Sequence, residues 1–196
     1  MAIENDLYYI NKVIGGDSNA FAVLVDRYKD FVFTLAIRMV KNREEAEEVS
    51  QDVFIKTFNS LRKFNGDSKF STWLYKIAYN TCLDVLKKQK KEQNLVSIDE
   101  YTERNVKTIE NVLDQIENQE RIKAIQDCIN LLPSEDAFLL SLFYFDELSL
   151  EEISKVIGIK VNYVKIKLFR GRKKLMTIFK ERLEPEIIEY YESERR

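Results

Sequence analysis

Between Ser149 and Leu175 the chain reads SLEEISKVIGIKVNYVKIKLFRGRKKL, and this stretch leaves little choice of local structure. Ser149 followed three residues later by Glu152 is a capping box, in which each side chain satisfies the other residue's backbone N–H, so a helix is predicted to begin there. Ile153, Val156 and Ile157 supply its apolar side, and Gly158 falls where a left-handed residue ends a helix. Ile159 can plug the corner. A second helix is predicted from Val161, with Val164, Leu168 and Leu175 inward and Lys165, Lys167, Arg170, Arg172, Lys173 and Lys174 around the rest. A short capped helix, a glycine turn and a basic helix make a helix-turn-helix, whose second helix enters the major groove of DNA. An ordinary helical hairpin with a basic face is the plainer alternative. The cap, the glycine and the charge together make it the weaker one.

The rest of the chain is also helical in pattern. Gly and Pro number only 5 and 2 in 196 residues, which disfavours a turn-rich β architecture. A first helix is expected over about Ile3–Ile14, stopped by Gly15 and Gly16, with Asp17 or Ser18 able to cap the next. In that next helix Leu24, Val25, Tyr28, Val32, Leu35, Ala36 and Met39 recur at helical spacing. Lys41 and Asn42 break it. Asn42 with Glu45 is a variant capping box opening a helix to about Ser60, whose buried stripe is Ala46, Val49, Val53, Phe54, Thr57 and Leu61. Glu44, Glu47, Glu48, Gln51 and Asp52 lie mostly on the other side, an acidic face that solvation alone could explain.

Phe64–Lys91 opens with a turn-forming Asn65-Gly66-Asp67-Ser68 and continues as a helix from about Ser71. Trp73, Tyr75 and Tyr79 stand there among Lys69, Lys76, Lys87 and Lys88. Rings stack on unpaired bases while ammonium groups hold phosphates, so the mixture suits single-stranded nucleic acid. A core helix with a lysine edge is the plain reading. Phe70, Leu74, Ile77, Ala78, Thr81 and Val85 share one face, and Lys76, Asn80 and Lys87 share a polar stripe. After Lys91 the pattern dissolves. A helix returns by about Val112 or Ile116 and ends before Pro133, and Ser134 can cap the one after.

The net charge of −2 hides segregation. Between Lys160 and Arg182 nine basic residues face only Glu181, whereas Asp99, Glu100, Glu103, Glu110, Asp114, Glu117 and Glu120 outnumber Arg104 and Lys107. One region is therefore fitted to polyanions and another is not. The chain has no histidine, and its two cysteines, Cys82 and Cys128, are far apart, which argues against a disulfide scaffold or a zinc site. No apolar run is long enough to span a bilayer and no signal pattern is present, so a cytoplasmic location without membrane insertion is expected. The expected class is all-α: two small helical domains, 1–91 and 121–183, joined by a flexible acidic linker over 92–120 and followed by a tail over 184–196.

Four ordered blocks give the chain a family resemblance. They are GDSNAF from Gly16 with Leu24 and Tyr28; EAEEVSQDVF from Glu45; FSTWLYKIA from Phe70 with Asn80; and Leu132-Pro133, LSLEEI from Leu148 and VKIKLFRGRKKL from Val164. In these the sequence resembles the bacterial RNA polymerase sigma factors of the extracytoplasmic-function type, within the sigma-70 family. The resemblance implies a promoter-specificity subunit that is not an enzyme and needs no cofactor or metal. Domain 1–91 would be region 2-like, docking on core polymerase and melting the minus-ten element. Domain 121–183 would be region 4-like, reading the minus-thirty-five element.

By resemblance, Glu47, Glu48, Gln51, Asp52, Phe54 and Ile55 meet the clamp helices of the polymerase β′ subunit, and the β flap is a second polymerase contact. Asn65, Asp67, Ser68, Lys69, Phe70, Trp73, Lys76, Tyr79, Asn80 and Lys87 hold the minus-ten strand, with a flipped base in the 65–69 loop. Lys160, Asn162, Tyr163, Lys165, Lys167, Arg170, Arg172, Lys173 and Lys174 meet the minus-thirty-five duplex. Promoter DNA, core RNA polymerase and a dedicated anti-sigma protein are the implied partners. The family's usual glycine before Leu148 is Glu147 here. The acidic linker beside two basic surfaces also gives the chain a means of masking itself.

The main competing class is a helix-turn-helix regulator with a sensing or dimerising module over 1–91, which would bind duplex tightly alone and ignore polymerase. A nucleic-acid-modifying enzyme fits poorly, for want of histidine, a phosphate-cradling glycine loop or clustered metal ligands.

Overall fold

The computed structural model describes residues 3–93 and 119–182, and every regular element in them is helical. Chain order is α1 (Ile3–Ile14), a 3-10 turn (Ser18–Ala20), α2 (Phe21–Val40), α3 (Arg43–Ser60), a second 3-10 turn (Leu61–Lys63) and α4 (Phe70–Gln93). After the undescribed residues come α5 (Gln119–Asn130), α6 (Ser134–Tyr144), α7 (Leu150–Ile157) and α8 (Val161–Arg182). The expected restart near Val112 or Ile116, the linker and the tail beyond Leu183 lie outside the described residues.

The first group packs α2, α3 and α4 against one another through Leu24, Val32, Leu35, Ala46, Val49, Val53, Leu74 and Ala78, all buried. Asp6 ties α1 to α2, its carboxylate accepting from Arg27 and from Tyr28 Oη at 2.6 Å. The second group sets α7 and α8 against α6 through Phe138, Leu142, Ile153, Val156, Val164 and Leu168. Within it, Ser149 Oγ accepts from the Glu152 N–H at 3.2 Å and Glu152 Oε2 accepts from the Ser149 N–H at 2.9 Å, the reciprocal cap. Gly158 then ends α7 at φ 73°. Removing the hydroxyl orphans a helix-end donor, so Ser149→Ala is expected to lower the unfolding free energy by about 1 kcal/mol in urea titration.

Two expected caps are not made, and a third is made on one side only. Asp17 and Ser134 give no side-chain cap bond: a 3-10 turn intervenes after Asp17, and Pro133 takes the cap position before Ser134. Asn42 does accept from the Glu45 N–H at 3.1 Å, yet Glu45 turns its carboxylate to Gln89 Nε2, both oxygens at 2.7 Å, joining α3 to α4. Glu147 sits at φ 50°, a left-handed position that strains a side chain and that glycine adopts freely.

The two groups are not separate. Helix α2 packs on α6 and α4 packs on α7, and the buried apolar residues run as one cluster from Ile10 to Phe179. For that reason α4 is buried on more sides than its periodicity indicates: Tyr75 (1% exposed), Thr72 and Cys82 lie inside as well as Leu74 and Ala78.

Candidate nucleic-acid and partner surfaces

The inner side of α3 is filled by Ala46, Val49, Val53 and Thr57, which leaves Glu47, Glu48, Gln51, Asp52 and Ile55 on the outside. Glu47 pairs with Arg43 one turn away at 3.0 Å. Ile55 is 58% exposed at the end of the acidic strip, with Phe58 partly exposed beside it. Phe54 is half-buried, its ring 6.5 Å from that of Phe21, so it supports the strip from beneath rather than standing on it. Phe58 went unnoticed in the sequence because its spacing also fits the buried stripe.

The loop before α4 is shaped by its own side chains. Gly66 adopts φ 79°, Asn65 Oδ1 accepts from the Asp67 N–H at 3.3 Å, and Asn65 Nδ2 donates to Asp67. Ser68 Oγ donates to the Lys69 carbonyl at 3.3 Å. Behind the loop Phe64, Phe70, Trp73 and Tyr28 form an aromatic cluster, with Phe70 edge-to-face on Phe64 and Tyr28 and Trp73 tilted against Phe64 and Phe70, at centroid spacings from 5.4 to 5.9 Å. Phe70, only 4% exposed, is the anchor of that cluster and presents no ring to solvent. Trp73 is half-buried at its edge. Lys76, Asn80 and Lys87 line up exposed along α4, as their spacing predicts. Tyr79 differs: its ring lies 5.1 Å from Phe138 of α6, and burial, with Glu135 nearby, raises its phenol to about 12.

Lys160, just before α8, and Asn162, Tyr163, Lys165 and Arg170 on it are exposed. Lys167 and Lys174 are committed to ion pairs with Glu135 at 2.7 Å and Asp136 at 2.8 Å, both in the first turn of α6. Arg172 lies over the rings of Phe143 and Tyr144 at 5.0 and 5.5 Å, a cation–π arrangement that packs the helix onto α6. Of the basic set, then, part braces the helix and part faces outward. Ile166 and Phe169, unforeseen as site residues, are also exposed on α8 with Tyr163. Their apolar character reads as core in a sequence, and only the direction of α8 shows otherwise.

Cys82 and Cys128 are both buried and form no disulfide, and burial pushes the Cys82 thiol up to about 12. No helix among the described residues is long and apolar enough to cross a membrane.

Comparison with known proteins agrees over most of the chain. The Sigma-70 region 2 family model matches residues 24–92, and the Sigma-70 region 4 model residues 122–175. The chain is 37% identical over 172 residues to the ECF RNA polymerase sigma factor SigW of Bacillus subtilis, covering 85% of this chain and 92% of the relative. It is 33% identical over 175 residues to the RNA polymerase sigma-H factor of Pseudomonas aeruginosa, covering 86% and 91%. The solved sigma factor RpoE from Bartonella quintana, in complex with the anti-sigma factor NepR, superposes with a TM-score of 0.62 at 18% identity, over 82% of this chain and 96% of that one. At that identity the likeness speaks for the fold.

Proposed function

Because the chain belongs to the extracytoplasmic-function RNA polymerase sigma factors, we propose that it docks on core polymerase through the outer strip of α3, opens and reads the minus-ten element with the 65–69 loop and the exposed stripe of α4, and reads the minus-thirty-five element with α8. The β′ clamp helices and the β flap are the polymerase sites this reading assigns. The observation that carries it is the α3 strip, where Glu48, Gln51 and Asp52 border an exposed isoleucine. A chain that only binds duplex DNA has no use for an acidic face that ends in an exposed apolar side chain. An anti-sigma partner of the kind that holds the Bartonella relative is part of the same reading.

At the minus-ten element, Asn65, Asp67, Ser68 and Lys69 would cradle a flipped base while Trp73 stacks at its edge and Lys76, Asn80 and Lys87 follow the backbone. Extruding a base costs a few kcal/mol, which stacking and polar contacts in the loop would offset. Phe70 would act by fixing the loop. Bases on the duplex side would be read by outward residues of α8, with Asn162 and Tyr163 nearest its N-terminus, the end that enters a groove first in helix-turn-helix proteins.

Reconstitution with core polymerase tests this. The chain should displace a housekeeping sigma factor from core, direct start-site-specific transcription, and make minus-ten thymines permanganate-reactive. Tight duplex binding by the chain alone with no affinity for core would assign it to the regulators instead. Lys165 and Arg170, exposed and phosphate-directed in this reading, give a second check. Replacing both with alanine should reduce the slope of log affinity against log salt for minus-thirty-five duplex by about 2, since each lost phosphate contact releases about one counterion fewer. An unchanged slope would remove them from the interface.

A further inference from the structure

We propose that Ile166 selects thymine in the duplex that α8 enters, by packing on its 5-methyl group, while Asn162 one turn earlier takes the adenine of a neighbouring A·T pair. This rests on the reading of α8 above and adds the bases that α8 prefers. Its starting point is an isoleucine, 45% exposed, on a helix surface that is otherwise basic and polar.

Helical spacing gives the direction. Val164, Leu168, Gly171 and Leu175 are buried and mark the inner side of α8. At about 100° per residue, the opposite side is a line through Asn162, Ile166 and Phe169, all exposed. Lys165 stands exposed on one flank of this line, and Tyr163 and Arg170 stand exposed on the other. The ridge farthest from the core therefore has a carboxamide at its head, two hydrophobic side chains behind it and a cation to either side.

Charge indicates what such a ridge meets. From Lys160 to Lys180 the sequence has no acidic residue, and Glu135 and Asp136 of α6 are already paired with Lys167 and Lys174. A helix seated in the major groove turns its flanks to the two phosphate backbones and its outermost line to the base edges. Lys165 and Arg170 on the flanks fit the first requirement, which leaves Asn162, Ile166 and Phe169 against the bases.

At the base edges the chemistry narrows further. Every pair presents hydrogen-bonding groups there that an isoleucine cannot satisfy, and only thymine adds an apolar group, its 5-methyl. Against a G·C pair Ile166 would cover donors and acceptors and gain nothing in return. Asn162 can bond adenine N6 and N7 together through its carboxamide. The rise from Asn162 to Ile166 is about 6 Å, between one and two base-pair steps of about 3.4 Å, so the two side chains address separate pairs.

The test uses the full chain, alone and reconstituted with core polymerase, and a duplex DNA pool randomised across the minus-thirty-five positions. Enriched duplexes should share adjacent or near-adjacent A·T pairs. In the best of them deoxyuridine then replaces each thymine in turn, which removes only the methyl. At one position this should weaken wild-type binding about fourfold, the value of one buried carbon, and should not affect Ile166→Ala. That variant should bind the thymine duplex about tenfold more weakly, with an unchanged slope of log affinity against log salt, because isoleucine releases no counterion. Ile166→Arg should move the preference at the same position to guanine, whose O6 and N7 accept a bidentate guanidinium. Asn162→Ala should lose the adenine preference at the neighbouring pair and keep the deoxyuridine effect.

Enriched duplexes without thymine, a wild type indifferent to deoxyuridine, or a full deoxyuridine effect in Ile166→Ala overturns the proposal. So does a pool with no enriched sequence, and so does an Ile166→Ala chain that keeps its duplex preference but loses core polymerase, which would make the ridge a protein contact. An adenine preference that survives in Asn162→Ala removes that residue from the readout. The substituted positions are exposed, so the variants should keep the circular dichroism of the wild type; should one not, the deoxyuridine series on the wild type decides alone. Binding to core without methyl dependence defeats this proposal only, whereas methyl-dependent duplex binding with no affinity for core defeats the sigma reading and leaves the thymine readout standing.

Discussion

Reversing charge at two exposed positions of α3, Glu48→Lys with Asp52→Lys, should weaken binding to core polymerase on the order of a thousandfold and leave the fold intact. Both side chains are solvent-facing, and the residues that hold α3 to α2 and α4 are on its other side. Stability should therefore move by no more than about 0.5 kcal/mol, as for most surface substitutions away from caps and networks. At the interface the same change replaces attraction by repulsion. A like-charge juxtaposition costs several kcal/mol, so about 2 kcal/mol per site is a modest demand. Competition for core against a housekeeping sigma factor reads the affinity, and far-UV circular dichroism reads the fold. Retained affinity with an intact fold would make the α3 face a solvated surface and nothing more. An Ile55→Ala variant in the same assay separates the apolar end of the strip from the charge, with an expected loss of about tenfold for one aliphatic side chain buried on binding.

The second large effect concerns Trp73. Alanine there should reduce opening of duplex promoter by between about tenfold and a hundredfold, since stacking of one base on an aromatic ring is worth about 1–3 kcal/mol. On a template already unpaired through the minus-ten element the deficit should shrink, because the cost of extruding the base no longer has to be met. Tyrosine at the same position should restore most of the activity. Trp73 also packs on Phe64 and Phe70, at 5.4 and 5.9 Å between centroids, so its removal loosens the loop's support. The template comparison distinguishes the two roles. Equal losses on duplex and premelted DNA would make Trp73 a packing residue and leave base capture to the loop alone.

Much of this was legible in the chain itself, for identifiable reasons. Ser149, Glu152 and Gly158 act through bonds and backbone angles within a few residues of themselves, and the structure places a cap and a left-handed stop where they stand. Lys76, Asn80 and Lys87 share a face because helical spacing alone fixes it. Asp17 and Ser134 misled because a capping residue works only if the chain enters the helix at the right angle. At those places a 3-10 turn and a proline set the entry. Tyr79 was grouped with DNA-facing aromatics for its place among lysines, and Phe70 by resemblance. A ring beside lysines has no direction in a sequence, and here one ring anchors a cluster and the other packs on Phe138.

The sequence by itself determined the helices, their order, the helix-turn-helix and the family, since caps, helical spacing and ordered motifs are all local or nearly so. What only the tertiary structure decided is how the two groups meet. Arg38 and Ser141 are 103 positions apart, and Tyr75 and Asp146 are 71 apart. No periodicity in either segment announces such a pair, because burial between α2 and α6 or α4 and α7 depends on where whole helices cross. The same crossing set which lysines brace α8 and which face outward, dividing one uniform run of basic residues into structural ion pairs with Glu135 and Asp136 and a solvent-exposed set.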